Sequence, residues 1–179
     1  GDGRSAATIA VEKFQSIVQS LISLTSNNSD RFFDTALAMS EVIEARLDDE
    51  DDLSAERFLQ AVIQISEARL LISQDDPDAH GQLAESWSDL GELKQNTEQN
   101  QSEVLDCYRR AVTEYRQIND PDWFSASDWI DFVEAQLTVM ELSRSVGDAA
   151  SSSVLVGEQV KEIQATLTKA RQQENWPDD

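Results

Sequence analysis

Residues 84–92, Ala-Glu-Ser-Trp-Ser-Asp-Leu-Gly-Glu, and residues 107–115, Cys-Tyr-Arg-Arg-Ala-Val-Thr-Glu-Tyr, decide how this chain is read. Trp87, Leu90 and Gly91 stand three and four residues apart, so a helix brings them to one face. Val104, Tyr108, Ala111 and Tyr115 follow at offsets of 4, 7 and 11, the apolar stripe of a second helix. The polar stretch Thr97-Glu98-Gln99-Asn100-Gln101 between them is too short for anything but a turn, so the two helices pair antiparallel.

Working outward, the same periodicity recurs with no strand alternation. Helices are expected over residues 5–25, with Phe14, Ile17, Val18, Leu21 and Ile22 on one face, and over 29–47, with Phe33, Ala36, Leu37, Ser40 and Ile43. A third is expected over 53–74 (Ala61, Ile65, Ala68, Ile72), then 77–96 and 102–118. The last two cover 121–146, carrying Trp129, Phe132, Val133 and Met140, and 152–173, carrying Val156, Val160, Ile163 and Leu167. Asp76-Pro77 and Asp120-Pro121 punctuate the chain, since proline in a first helical turn forfeits no hydrogen bond. Seven helices in successive antiparallel hairpins make an all-α domain over residues 1–174, followed by a frayed tail, 175–179.

Residues 84–118 resemble a tetratricopeptide repeat. Trp87 takes the place of its bulky first-helix residue, Gly91 the small residue where the paired helix crosses, and Ala111 the small second-helix contact. Valine stands at 104 where alanine is favoured, and lysine at 94 where an aromatic is common. Residues 126–170 resemble it more faintly through Ala126, Trp129, Phe132 and Ala170, and the 53–74 segment through Ala61, Ile65 and Ala68. Trp87 and Trp129 lie 42 residues apart, a longer interval than the usual repeat of about 34. The resemblance implies a superhelical array of long-helix repeats whose first helices line a concave groove. In this chain the lining comprises Glu85, Ser88, Glu92, Gln95 and Asn96, then Ser127, Ile130, Glu134, Leu137 and Thr138. Members that hold a carboxylate-ended tail use lysine and asparagine where this chain has Ser88, Glu92, Ile130 and Glu134, so an acidic peptide is repelled.

Composition points the same way. A net charge of -21, from 35 acidic and 14 basic residues, argues against nucleic acid and against an anionic membrane surface as partner. No apolar run approaches the roughly 20 residues of a membrane span. A soluble, intracellular protein is expected, and the lone Cys107 fits a reducing compartment. The chain opens Gly-Asp-Gly without methionine, the mark of a tag remnant or engineered start, with a larger parent protein left open.

No catalytic or metal constellation emerges, and no cofactor is expected. His80 is the single histidine and reads as a surface or satisfied helix residue. His80 and Cys107 cannot supply the ligands of a zinc site. The acidic run 48–52 has Leu53 and Leu59 where a calcium loop needs glycine and a bidentate glutamate. Trp123 and Phe124, beside Pro121, either seal a hairpin junction or form an exposed aromatic anchor for a partner. The functional expectation is a non-enzymatic adaptor binding a basic or amphipathic protein segment in an acidic groove. The alternatives are an oligomerisation domain of a larger assembly, and a chaperone or regulatory subunit for a basic protein.

Overall fold

The computed structural model describes residues 6–23, 52–97, 100–147 and 153–172, all helical or in short turns. Six α-helices are seen among them: α1 Ala6–Ser23, α2 Asp52–Leu70, α3 Pro77–Asn96, α4 Gln101–Gln117, α5 Ala126–Ser145 and α6 Ser153–Arg171. A 3-10 turn, Pro121–Trp123, separates α4 from α5. The expected helix over 29–47, the acidic run 48–51 and the tail 175–179 lie outside the described residues.

Local chemistry sets the boundaries. Asp76 Oδ1 accepts from the amides of Asp78 and Ala79 (3.1 and 3.2 Å), satisfying donors that the first turn of α3 leaves over. Its other oxygen accepts from Arg69 Nε at 2.6 Å, so one carboxylate caps α3 and holds the end of α2. Asn100 caps α4 through the Ser102 amide. Ser125 and Asp128 form a reciprocal capping box that starts α5, and Gly147, at φ 67°, closes it in the left-handed conformation glycine tolerates.

Extensive contacts run between consecutive described helices: α1 on α2, α2 on α3, α3 on α4, α4 on α5, α5 on α6. The described interior consists of three apolar clusters, bridged by the partly buried Leu59 and Trp87. Phe14 and Val18 of α1 meet Phe58, Val62 and Ile65 of α2; Ile63, Leu83, Leu90 and Cys107 link α2, α3 and α4. Tyr115, Phe124, Trp129 and Phe132 then form an aromatic centre with Val104, Leu105 and Ala111. Phe124 stacks on Trp129 with centroids 4.1 Å apart, and Tyr115 sits 5.1 Å from Phe132. At roughly 25 cal/mol per Å² of apolar burial, such rings supply most of the local cohesion.

Where the helices pair most closely, a small residue permits it. A Cβ at Gly91 would stand 2.9 Å from Tyr108 Cε2, so α4 lays its tyrosine ring where α3 has no side chain. Trp87 is half-buried and carries the Arg110 guanidinium over its ring at 4.5 Å. Lys94 reaches Glu56 of α2 and Glu103 of α4, each at 3.4 Å, across two helix pairs.

Several expectations need correction. The helix expected over 121–146 starts at 126, because the Ser125–Asp128 box caps α5 there and Pro121–Trp123 is a separate turn. Ile72, placed on a buried stripe, is exposed: α2 ends at Leu70, where Arg69 turns to Asp76. Ile163 is buried as expected, but Val160 and Ile17 are exposed; α6 also buries Thr166 and Ala170, so its buried stripe is rotated from the expected one.

Candidate functional site

A groove of about 320 Å³ opens between α3 and α5, above α4. Glu85, Ser88, Asp89 and Glu92 come from α3 at helical spacings of three and four, which puts them on one stripe. Asp131, Glu134, Ala135 and Thr138 face them from α5, and Tyr108 and Tyr115 of α4 complete the lining. Five carboxylates therefore surround two phenols.

The electrostatics follow. Burial, then the carboxylates of Glu92 and Asp89, push the Tyr108 hydroxyl up to about 12. Burial, then Glu85 and Asp131, push Tyr115 much further in the same direction. Asp131 is itself held above the usual carboxylate range by desolvation, then by Glu134 and Asp128. Both phenols are thus neutral at physiological pH, and the negative potential of the groove converges on them. The hydroxyl oxygens of Tyr115 and Ser88 are shielded from solvent and have no hydrogen-bond partner among the described residues.

Of the expected lining, Glu85, Ser88, Glu92, Glu134 and Thr138 meet in this groove. Gln95, Asn96, Ser127, Ile130 and Leu137 do not line it. Gln95 and Asn96 lie exposed at the end of α3, and the Ser127 hydroxyl is engaged by Ser125 at 2.9 Å. Ile130 and Leu137, 41% and 44% exposed, lie on α5 about one turn before and one turn after Glu134, on the side of the helix away from Asp131. They flank the groove as an apolar lip. Asp89 and Asp131 were missed, although the three- and four-residue spacing from Glu85, Glu92 and Glu134 marks both. The tyrosines were read as apolar stripe residues, and no sequence signal shows that they reach a cleft.

Trp123 and Phe124 seal a junction, and the exposed-anchor alternative is corrected. Phe124 is 5% exposed, sandwiched in the aromatic centre. The Trp123 indole covers Gly81, and its Nε1–H donates to Asp78 Oδ1 at 2.8 Å. His80 is buried, with Nδ1 2.8 Å from Glu114 Oε2 and Nε2 3.0 Å from the Gln74 carbonyl. Cys107 is buried and its thiol is pushed up by desolvation, the condition of an inert core thiol. Among the described residues, no three His, Cys, Asp or Glu side chains converge as a metal site. None of their helices is long and apolar enough to cross a membrane.

No protein-family model, curated protein or solved structure matches this chain.

Proposed function

We propose that this chain is a non-enzymatic interaction scaffold, a divergent tetratricopeptide-like array that takes a basic, amphipathic segment of a partner protein in the groove between α3 and α5. The observation that carries the reading is the opposition of Glu85, Asp89 and Glu92 on α3 to Asp131 and Glu134 on α5. Like charges crowded around one cleft repel one another, and a cationic ligand relieves that repulsion. The exposed Ile130 and Leu137 give the apolar half of an amphipathic partner a place to rest. The repeat-like character is supported by the Tyr108 ring lying on Gly91 and by the complete burial of Ala111.

The test uses a fluorescent amphipathic Lys/Leu helix and its Glu/Leu counterpart as probes. Charge reversal at Glu92 and Glu134 together is expected to weaken the basic probe tenfold or more and to flatten its salt dependence. A control pair, Glu67→Lys with Glu158→Lys, changes net charge equally at exposed sites outside the groove lining. If the control pair weakens binding as much as the groove pair, the attraction is general to the acidic surface and the groove is not the site.

A further inference from the structure

The floor of the groove holds an anomaly that its acidity alone does not explain. Tyr115 is 1% exposed, one of the largest fully buried side chains, yet the residue lines the groove, and its buried hydroxyl has no hydrogen-bond partner among the described residues. Ser88 Oγ, from the opposite wall, is in the same condition. A buried hydroxyl without a partner costs free energy, so two of them on residues that line one cleft are an unusual pair to keep. The pair is not alone: Ser66 Oγ, Trp129 Nε1 and the Gln136 amide are also buried without a partner among the described residues, but none of those three residues lines the groove.

The chemistry of the cleft restricts what could meet these oxygens. The surrounding groups are carboxylates, which accept and repel anions. Hydroxyl oxygens accept as well as donate, so a ligand that carries N–H donors and positive charge can satisfy Tyr115 and Ser88 while answering the carboxylates. The carboxylates do not converge as a metal ion requires, so a compact dication is a poor fit. An ammonium on an alkyl stem fits: three N–H donors at the tip, and methylenes that lie against the tyrosine faces. The cleft, at about 320 Å³, is of the size that holds a small ligand or one long side chain.

We infer that the groove contains a seat for a single primary alkylammonium group, with Tyr115 Oη and Ser88 Oγ accepting its N–H bonds and the carboxylates of α3 and α5 neutralising its charge. This rests on the acidic-groove reading and adds which ligand group is held and by which neutral atoms. Two sources carry that chemistry: a lysine of the bound partner segment, and a free polyamine.

Titration calorimetry with decalysine, Nε-acetylated decalysine and spermine separates the possibilities. Tyr115→Phe and Ser88→Ala each remove one acceptor and leave the net charge unchanged, so they do not alter the general attraction of the acidic surface. Each is expected to weaken decalysine three- to tenfold, with acetylated decalysine not binding. A loss on decalysine supports the seat with a lysine of a partner segment as its source; a loss confined to spermine supports it with a free polyamine. Unchanged affinity for both probes in both variants overturns the seat. In that case the groove reading still stands if charge reversal at Glu92 and Glu134 weakens decalysine, and falls with the seat if it does not. Thermal melts of the two variants confirm that each is folded.

Discussion

The indole of Trp123 occupies the space that a side chain at Gly81 would fill: a Cβ built there would overlap Trp123 Cη2. The ring is not free to swing aside. Its Nε1–H is bonded to Asp78 one turn earlier on the same helix, and its edge meets Phe124 at 5.4 Å. The turn after α4 is thereby latched to the start of α3, which brings α5 into position across the groove.

Gly81→Ala is therefore predicted to destabilise the fold despite improving helix propensity. Overpacking costs about 1–3 kcal/mol against a propensity gain of up to about 1 kcal/mol. The sign reverses in the background of Trp123→Ala, where the same alanine meets open space and stabilises. Urea denaturation of the four proteins of this cycle measures the coupling. Equal effects of Gly81→Ala in both backgrounds would show that the indole does not sit on the glycine.

Tyr115→Phe removes the unpartnered hydroxyl and keeps the ring that packs on Phe124 and Phe132. Without ligand, stability is predicted to hold or to rise by up to about 1 kcal/mol, since a buried polar atom loses its desolvation penalty. Most buried tyrosine-to-phenylalanine changes sever an internal hydrogen bond and run the other way. A fall in the urea midpoint equivalent to more than about 1 kcal/mol would reveal an internal partner for the oxygen.

The legible part of this architecture was whatever depends on neighbours in sequence. Asp76-Pro77 marked the start of α3, and the spacing of Trp87, Leu90 and Gly91 gave its buried side, with Gly91 meeting the paired helix as expected. The start of α5 was misplaced because Asp120-Pro121 carries the same start signal as Asp76-Pro77. The stronger capping box, Ser125 with Asp128, lies five residues later. Ile72 keeps the period of α2 beyond the point where the Arg69–Asp76 pair ends the helix. In the groove, Glu92 and Glu134 were legible because each lies on a helical stripe. The Tyr115 hydroxyl was not, since its lack of a partner depends on distances among three helices.

His80 joins α3 to α4 through Glu114 and closes on the Gln74 carbonyl. Both partners are acceptors, and the tautomer decides which of them the ring donates to. Its replacement by alanine removes that donor from a buried contact, at a cost of about 1–3 kcal/mol. Glu114→Ala loses the same contact, so the double variant is predicted to cost less than the sum of the singles. Strict additivity in thermal or urea unfolding would mean that the 2.8 Å contact carries no coupling energy.

Asp131 sets a pH dependence of definite sign. Its folded value lies above the ordinary 3.8, through burial first and then Glu134 and Asp128, so within that window the folded state holds more protons than the unfolded one. Stability contributed by this group therefore falls as pH rises from below 3.8 through the raised folded value, and the penalty persists at neutral pH. Asp131→Asn removes the charge and the penalty together. Because the side chain is exposed on one side, solvent screening limits the gain to about 0.5 kcal/mol or less. That gain, measured as the difference in unfolding free energy from the parent chain, is predicted at pH 7 and absent below pH 3.8. It also shrinks in 0.5 M salt, where the repulsion from Glu134 and Asp128 is screened. A gain that persists undiminished in acid would assign the effect to amide packing and not to the carboxylates of the groove.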